Sequence, residues 1–194
     1  MPASLVRLKV TLDHVEPTVM RRVVVPFRIK LPRLHEVLQA AMGWSNSHLY
    51  EFRIRDVGFG PADQDWGDGP LDARKISLLA AIEDIAAKSF KYLYDFGDGW
   101  THSINIERTF PVIGLAEPML LEATGRCPPE DISGPWGYQE FREALADPTH
   151  GRHAELVKWW GSEDYDPDKA NFAELNKAVD DVPAKWTRKS CRKI

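Results

Sequence analysis

Residues 92–106 read YLYDFGDGWTHSINI, and the fold turns on how this stretch is read. Phe90, Tyr92, Tyr94 and Phe96 fall on one face of a strand, with Lys91, Leu93 and Asp95 on the other. After the reversal, Trp100, His102, Ile104 and Ile106 share one side, and Thr101, Ser103, Asn105 and Glu107 the opposite one. Period-two alternation of this kind marks half-buried strands. Gly97-Asp98-Gly99 supplies residues that tolerate positive φ, as a tight reversal requires. The stretch is therefore a β-hairpin, with Asp95, Asp98 and His102 crowded toward its tip.

Working outward, residues 4–13 alternate strictly, with Val6, Leu8, Val10 and Leu12 opposed to Arg7, Lys9 and Thr11. His14 to Thr18 reads as a turn and Val19 to Val25 as a second strand, so the two strands make another hairpin. Leu31-Pro32 opens a helix, because a proline in the first turn gives up no helical hydrogen bond. Leu34, Val37, Leu38, Ala41 and Met42 form its buried stripe and Gly43 ends it. The same count places His35, Glu36 and Gln39 outward. A third strand at 48–55 turns Tyr50, Phe52 and Ile54 inward. Residues 56–70 read as a long polar loop, whose Asp63, Asp65 and Asp68 lack the spacing and closing glutamate of a calcium loop. Ser77 caps a helix over 78–88, with Leu78, Leu79, Ile82, Ile85 and Ala86 inward.

Beyond the hairpin, 110–126 shows no regular pattern. CPPED at 127–131 is held extended by its two prolines. Helices follow at 139–146, at 152–160 and after Asp166-Pro167, the last with Phe172, Leu175 and Val179 inward. Asn176 on that stripe needs a hydrogen-bond partner, and a loop backbone is the expected one. Strands first and helices last give an α+β protein. The expectation is a mixed, mainly antiparallel sheet of about five strands packed with helices, compatible with a β-grasp-like arrangement.

With 194 residues, 43% of them hydrophobic and 28% charged, the chain suits one globular domain over 1–182. A basic tail over 183–194, with Lys185, Arg188, Lys189, Arg192 and Lys193 and no acid, reads as a flexible, solvated terminus. No apolar run is long enough for a membrane helix, and the first residues enter a strand pattern with no signal-peptide core. Two distant cysteines, Cys127 and Cys191, do not make a disulfide framework, and a reducing cytoplasm fits them. A net charge of −4 argues against a protein that coats nucleic acid by bulk charge.

Several of these segments recur together elsewhere: GW at 43–44, HL at 48–49, YDFGDGW at 94–100, CPPED at 127–131 and GY at 137–138. In this order they resemble the plasmid pRiA4b ORF-3-like family of bacterial and archaeal proteins, and the resemblance extends from MRRVVVP at 20–26 to WWGSEDYDPD at 159–168 and Asn176. It implies an α+β fold of that family's type, and a setting on plasmids, chromosomes and insertion elements, where some members carry resolvase-like labels. It implies no settled biochemical activity. The chain departs from the family pattern in having Met20 for a usual Trp, Leu120 where many members carry a further Cys, Ser133 for a first Gly and Ala170 for a frequent Phe. A metal or redox pair built on that further cysteine would be lost here.

The candidate site gathers Asp95, Asp98 and His102 from the hairpin with Cys127, Glu130 and Asp131 from the CPPED loop. Asp98, His102 and Glu130 are the candidates for catalysis and for holding a divalent metal, since two carboxylates and an imidazole can ligate an ion or act as acid and base. A Cys127–His102 pairing would activate a thiolate. Each residue also has a plain structural account: Asp98 for its turn, Asp95 as a cap for nearby N–H groups, Cys127 as a small buried side chain. Trp100, Trp136 and Tyr138 add aromatic surface for a nucleic-acid or protein partner. His150-x-x-His153 has one-face helical spacing but no third ligand nearby. The functional expectation is a non-catalytic recognition module in mobile-element or nucleic-acid biology, with a metal-assisted hydrolase as its alternative.

Overall fold

Val6, Leu8, Val10 and Leu12 lie at the centre of the molecule, all but excluded from solvent, on a strand with neighbours on both sides. The computed structural model describes residues 4–61, 69–83, 87–111 and 116–190, the last four as backbone alone. Strands β1 (Ser4–Leu12), β2 (Met20–Pro26), β3 (Tyr50–Ile54), β4 (Val57–Gly60), β5 (Leu71–Asp72), β6 (Ser89–Tyr94), β7 (Trp100–Pro111) and β8 (Met119–Thr124) form one sheet. Its order is β5-β4-β3-β6-β7-β1-β2-β8. The described pairings are antiparallel except for a short parallel one between β4 and β5.

The fold is thus α+β with a mostly antiparallel sheet, as expected, but the sheet has eight strands and not about five. The extra strands lie at the sheet's margins. β4 and β5 arise within or beside the stretch read as a polar loop, and β8 within the stretch read as irregular. Each buries too few side chains to show alternation; β8 buries Leu120 alone. The acidic residues Asp63, Asp65 and Asp68, and Ile85 and Ala86 of the expected second helix, lie outside the described residues.

One face of the sheet is polar. Arg7 and Arg22 both pair with Glu107, at 2.7 and 2.9 Å, and Arg22 also reaches Glu122, linking β7, β1, β2 and β8. Antiparallel sheets tolerate such a wet face. The other face is covered by α1 (Leu31–Met42). Gly43, at φ 85°, ends α1 in the left-handed conformation that favours glycine. Buried Arg21 ties α1 to the sheet: its guanidinium donates to Ala41 O at 2.7 Å, Met20 O at 2.8 Å and Thr124 O at 2.7 Å.

His35 and Gln39 do not face outward. Both are buried. The His35 ring stacks on Tyr50 with centroids 3.7 Å apart, and Tyr92 meets His35 Nδ1 at 2.7 Å and accepts from Gln39 Nε2 at 2.9 Å. The apolar stripe undercounted α1 because the helix is covered on more than one side, by sheet tyrosines and by α5 (Phe172–Asp180) and α6 (Val182–Ser190).

The C-terminal third is helical, as expected, with α3 (Gly134–Ala146) and α4 (His153–Trp160) packed together. α2 (Leu78–Glu83) is short. Residues 183–190, expected to be a flexible tail, continue as helix α6. Trp186 anchors it, donating Nε1–H to Glu36 and lying 4.8 Å from the Arg33 guanidinium. Asn176 bonds Asp180 on its own helix at 3.0 Å and not a loop backbone.

Candidate functional site

Three loops meet where β6 ends and β7 begins. The first, 44–49, leaves the glycine cap of α1. The second, 95–99, is the hairpin turn. The third, 127–133, is the CPPED loop. The loops are tied directly: the Trp44 indole Nε1 donates to Pro128 O at 2.9 Å, and Asp95 N to Leu49 O at 2.9 Å. At Gly134 a Cβ would stand 2.3 Å from Asp98 O, so only glycine lets the third loop approach the hairpin this closely.

The turn itself is built around Asp95. This residue, rather than Gly97 or Asp98, takes positive φ (55°), and Gly99 follows at 70°. Asp95 Oδ1 accepts from Gly97 N at 3.0 Å and Asp98 N at 3.3 Å, an Asx-type cap. Oδ2 is left facing His48 Nδ1 at 3.5 Å. On the other edge of the ring, His48 Nε2 lies 3.1 Å from Asp131 Oδ1. Nε2 is nonetheless a buried atom without a hydrogen bond. One ligand atom from each of His48, Asp95 and Asp131 can be chosen so that all lie within 4.8 Å of one another, the one such group among the described residues. Asn46, Asp131 and Ser133 also have positive φ (62°, 61° and 68°), so left-handed backbone concentrates here. Such clustering marks segments whose conformation is imposed by surrounding contacts.

Glu130 holds the loops in place. Its Oε1 accepts from Tyr94 OH at 2.6 Å and its Oε2 from Ser45 N at 2.7 Å. The same phenol oxygen accepts from Ser47 N at 3.1 Å and His48 N at 3.4 Å, which positions the backbone carrying His48. Burial, reinforced by the Glu130 carboxylate, pushes the Tyr94 phenol up to about 12.

The expected trio of Asp98, His102 and Glu130 is not assembled. His102 is fully buried in the core, with Nδ1 3.1 Å from Tyr92 O and its ring edge-on to Trp44. Burial pulls its pKa down to about 4. It belongs to the inward face of β7, so its closeness to the tip in sequence did not carry it to the surface. Asp98 Oδ2 is buried without a hydrogen-bond partner. Cys127 does not suit a thiolate, because burial pushes its thiol up to about 12. Trp100 is fully buried, and Tyr138 is buried with its oxygen 3.1 Å from Tyr165 OH. Trp136 is the opposite case, 83% exposed in the first turn of α3. His153 Nδ1 meets Ala144 O at 2.7 Å and His150 Nδ1 accepts from Arg152 N at 3.2 Å, so that pair serves local backbone.

Of the residues brought together here, Asp95 and Asp131 were singled out in the sequence and His48 was not. It was read as the start of the third strand but precedes β3, and its one signal was the HL pair at 48–49 among the recurring segments.

The family model described as plasmid pRiA4b ORF-3-like protein matches residues 4–174. The "Uncharacterized protein y4hQ" of Sinorhizobium fredii is 75% identical over 193 residues, spanning the whole of both chains. A crystal structure from Methanosarcina mazei Go1, "Protein of Unknown Function MM3350", superposes with a TM-score of 0.78 at 29% identity, covering 92% of this chain and 99% of that one.

Proposed function

The chain belongs to the plasmid pRiA4b ORF-3-like family, and on that premise we propose that it is a non-catalytic recognition module whose binding face is the meeting of the three loops. The observation that carries this reading is the exposure of large apolar side chains on that face. Leu49 is 58% exposed, Phe96 51% and Trp136 83%. Leu49 accepts the backbone bond from Asp95, Phe96 is the next residue after Asp95, and Trp136 stands two residues after Gly134, the glycine that touches the turn. Tryptophan anchors ringed by polar groups characterise protein-binding hot spots. A depression of about 200 Å³ bordered by Asp131, Ser133, Glu140, Arg152 and Trp159 adjoins the face.

Charge selects among partners. Asp95, Glu130 and Asp131 line the face against one imidazole, so a phosphate backbone is repelled and a basic, apolar protein segment is favoured. The plasmid in the family's description supports a setting in mobile-element biology, with nucleic acid reached through the protein partner, and the unpaired Cys127 suits the cytoplasm. Screening a random displayed-peptide library against the folded protein tests the reading. Enriched peptides should be basic and apolar, and Trp136→Ala should weaken them at least tenfold. Enrichment that ignores Trp136, or none, rejects it; salt-sensitive gel shifts of DNA lost in Trp136→Ala would transfer the face to nucleic acid.

A second reading is metal-assisted hydrolysis, favoured by the convergence of His48, Asp95 and Asp131. A cation-dependent hydrolysis of a phosphoester or amide panel, abolished by His48→Ala, supports it. The same panel left untouched with Zn²⁺ or Mn²⁺ present removes it.

A further inference from the structure

We propose that His48, Asp95 and Asp131 form a site for one divalent transition-metal ion. The proposal is independent of the recognition reading and a precondition of the hydrolytic one. The donor set comes first: one imidazole nitrogen and two carboxylates suit a zinc- or manganese-type ion better than the all-oxygen shells of calcium. Distance comes next. Ligands about 2.0–2.2 Å from such an ion sit roughly 3–3.5 Å apart, and here the three donor atoms already lie within 4.8 Å of one another. The Asp131 side chain is 71% exposed and has room to rotate toward the ion.

Preorganisation argues in the same direction. Asp95 is nine-tenths buried, with one oxygen fixed by the turn and the other turned toward His48. The backbone bearing His48 is held by Tyr94, which Glu130 holds in turn. Each ring nitrogen of His48 faces a carboxylate oxygen, at 3.5 and 3.1 Å. An independent pointer is His48 Nε2, which is buried and 3.1 Å from an acceptor yet makes no hydrogen bond. An ion beside that edge of the ring gives the lone pair a partner. Protein donors number three, so a bound ion keeps positions open to water or to a partner's side chain.

Calorimetric titration of the metal-stripped full chain with ZnCl₂ and with MnCl₂ at neutral pH tests the site. One equivalent of at least one ion should bind, and His48→Ala and Asp131→Asn should each weaken it at least tenfold while retaining the native circular-dichroism spectrum. Asp95→Asn keeps the oxygen that caps the turn and should weaken binding without unfolding the loop. Trp136→Ala should leave the titration unchanged, which separates this proposal from the recognition reading. Absence of stoichiometric binding by both ions, or binding that survives His48→Ala and Asp131→Asn undiminished, overturns it.

Discussion

Two regions of the protein are built around imidazoles, and they use them in opposite ways. Under α1, His35 and His102 are enclosed. His35 sits in a closed circuit: Gln39 donates to Tyr92 OH, Tyr92 donates to His35 Nδ1, His35 Nε2–H donates to Asn46 Oδ1, and Asn46 N donates to Gln39 Oε1. Both ring nitrogens of His35 are used, His102 keeps a buried Nε2 without a hydrogen bond, and burial pulls the pKa values of both down to about 4. At the loop face, His48 is only partly buried and meets a carboxylate at each ring nitrogen. A polar side chain whose bonds close on themselves specifies structure, whereas one that converges with like donors from other segments has chemistry to spare.

The largest effect expected from this contrast is acid sensitivity. His35 and His102 take up protons in the unfolded chain below about 6.5 but in the folded chain only near 4. Their contribution to stability is therefore full above pH 6.5 and is lost as pH falls through that window, at roughly 3 kcal/mol for each histidine. Urea unfolding at a series of pH values should show this slope, and His102→Gln should lower it. An unchanged slope in that variant would mean that His102 does not stay neutral in the fold.

Next comes direct removal. His102→Ala opens a cavity in the core and takes the donor from Tyr92 O, and should cost about 2–4 kcal/mol in unfolding free energy. Glu130→Ala leaves the Tyr94 hydroxyl and Ser45 N–H without their acceptor and should cost about 1–2 kcal/mol. It should also lower the Tyr94 phenol pKa, readable by ultraviolet titration. Smallest are the face residues: His48→Ala and Trp136→Ala should each stay within about 0.5–1 kcal/mol of the parent. A loss from His48→Ala as large as that from His102→Ala would erase the distinction between the two regions.

Much of the fold was legible because β1, β6 and β7 each bury a full face, so alternation in Val6 to Leu12 or in Trp100 to Ile104 is unbroken. β8 shows only Leu120 to the core, and β4 is written in the glycines of VGFG, so neither carries a period. The helical count misplaced His35 and Gln39 for a related reason. A stripe predicts burial against one neighbour, and α1 has several. In the candidate site, Asp95 and Asp131 were singled out from the turn and the rigid loop, together with His102, which the structure places in the core. Its face of β7 was read correctly, yet alternation does not say how deep a face lies. His48 required the spatial meeting of three loops, which no local pattern encodes.

The strand order carries a consequence for how the molecule is made. β1 lies between β7 and β2, and Leu12 stands opposite His102. The β1–β2 hairpin emerges early in synthesis, but one edge of β1 stays unpaired until β7 arrives and one edge of β2 until β8 does. Contacts this distant along the chain slow folding, and they leave apolar strand edges open in the meantime. Early translation products of this protein are accordingly expected to be sticky, and a chain stopped short of β7 is a substrate for chaperones rather than a smaller version of the fold.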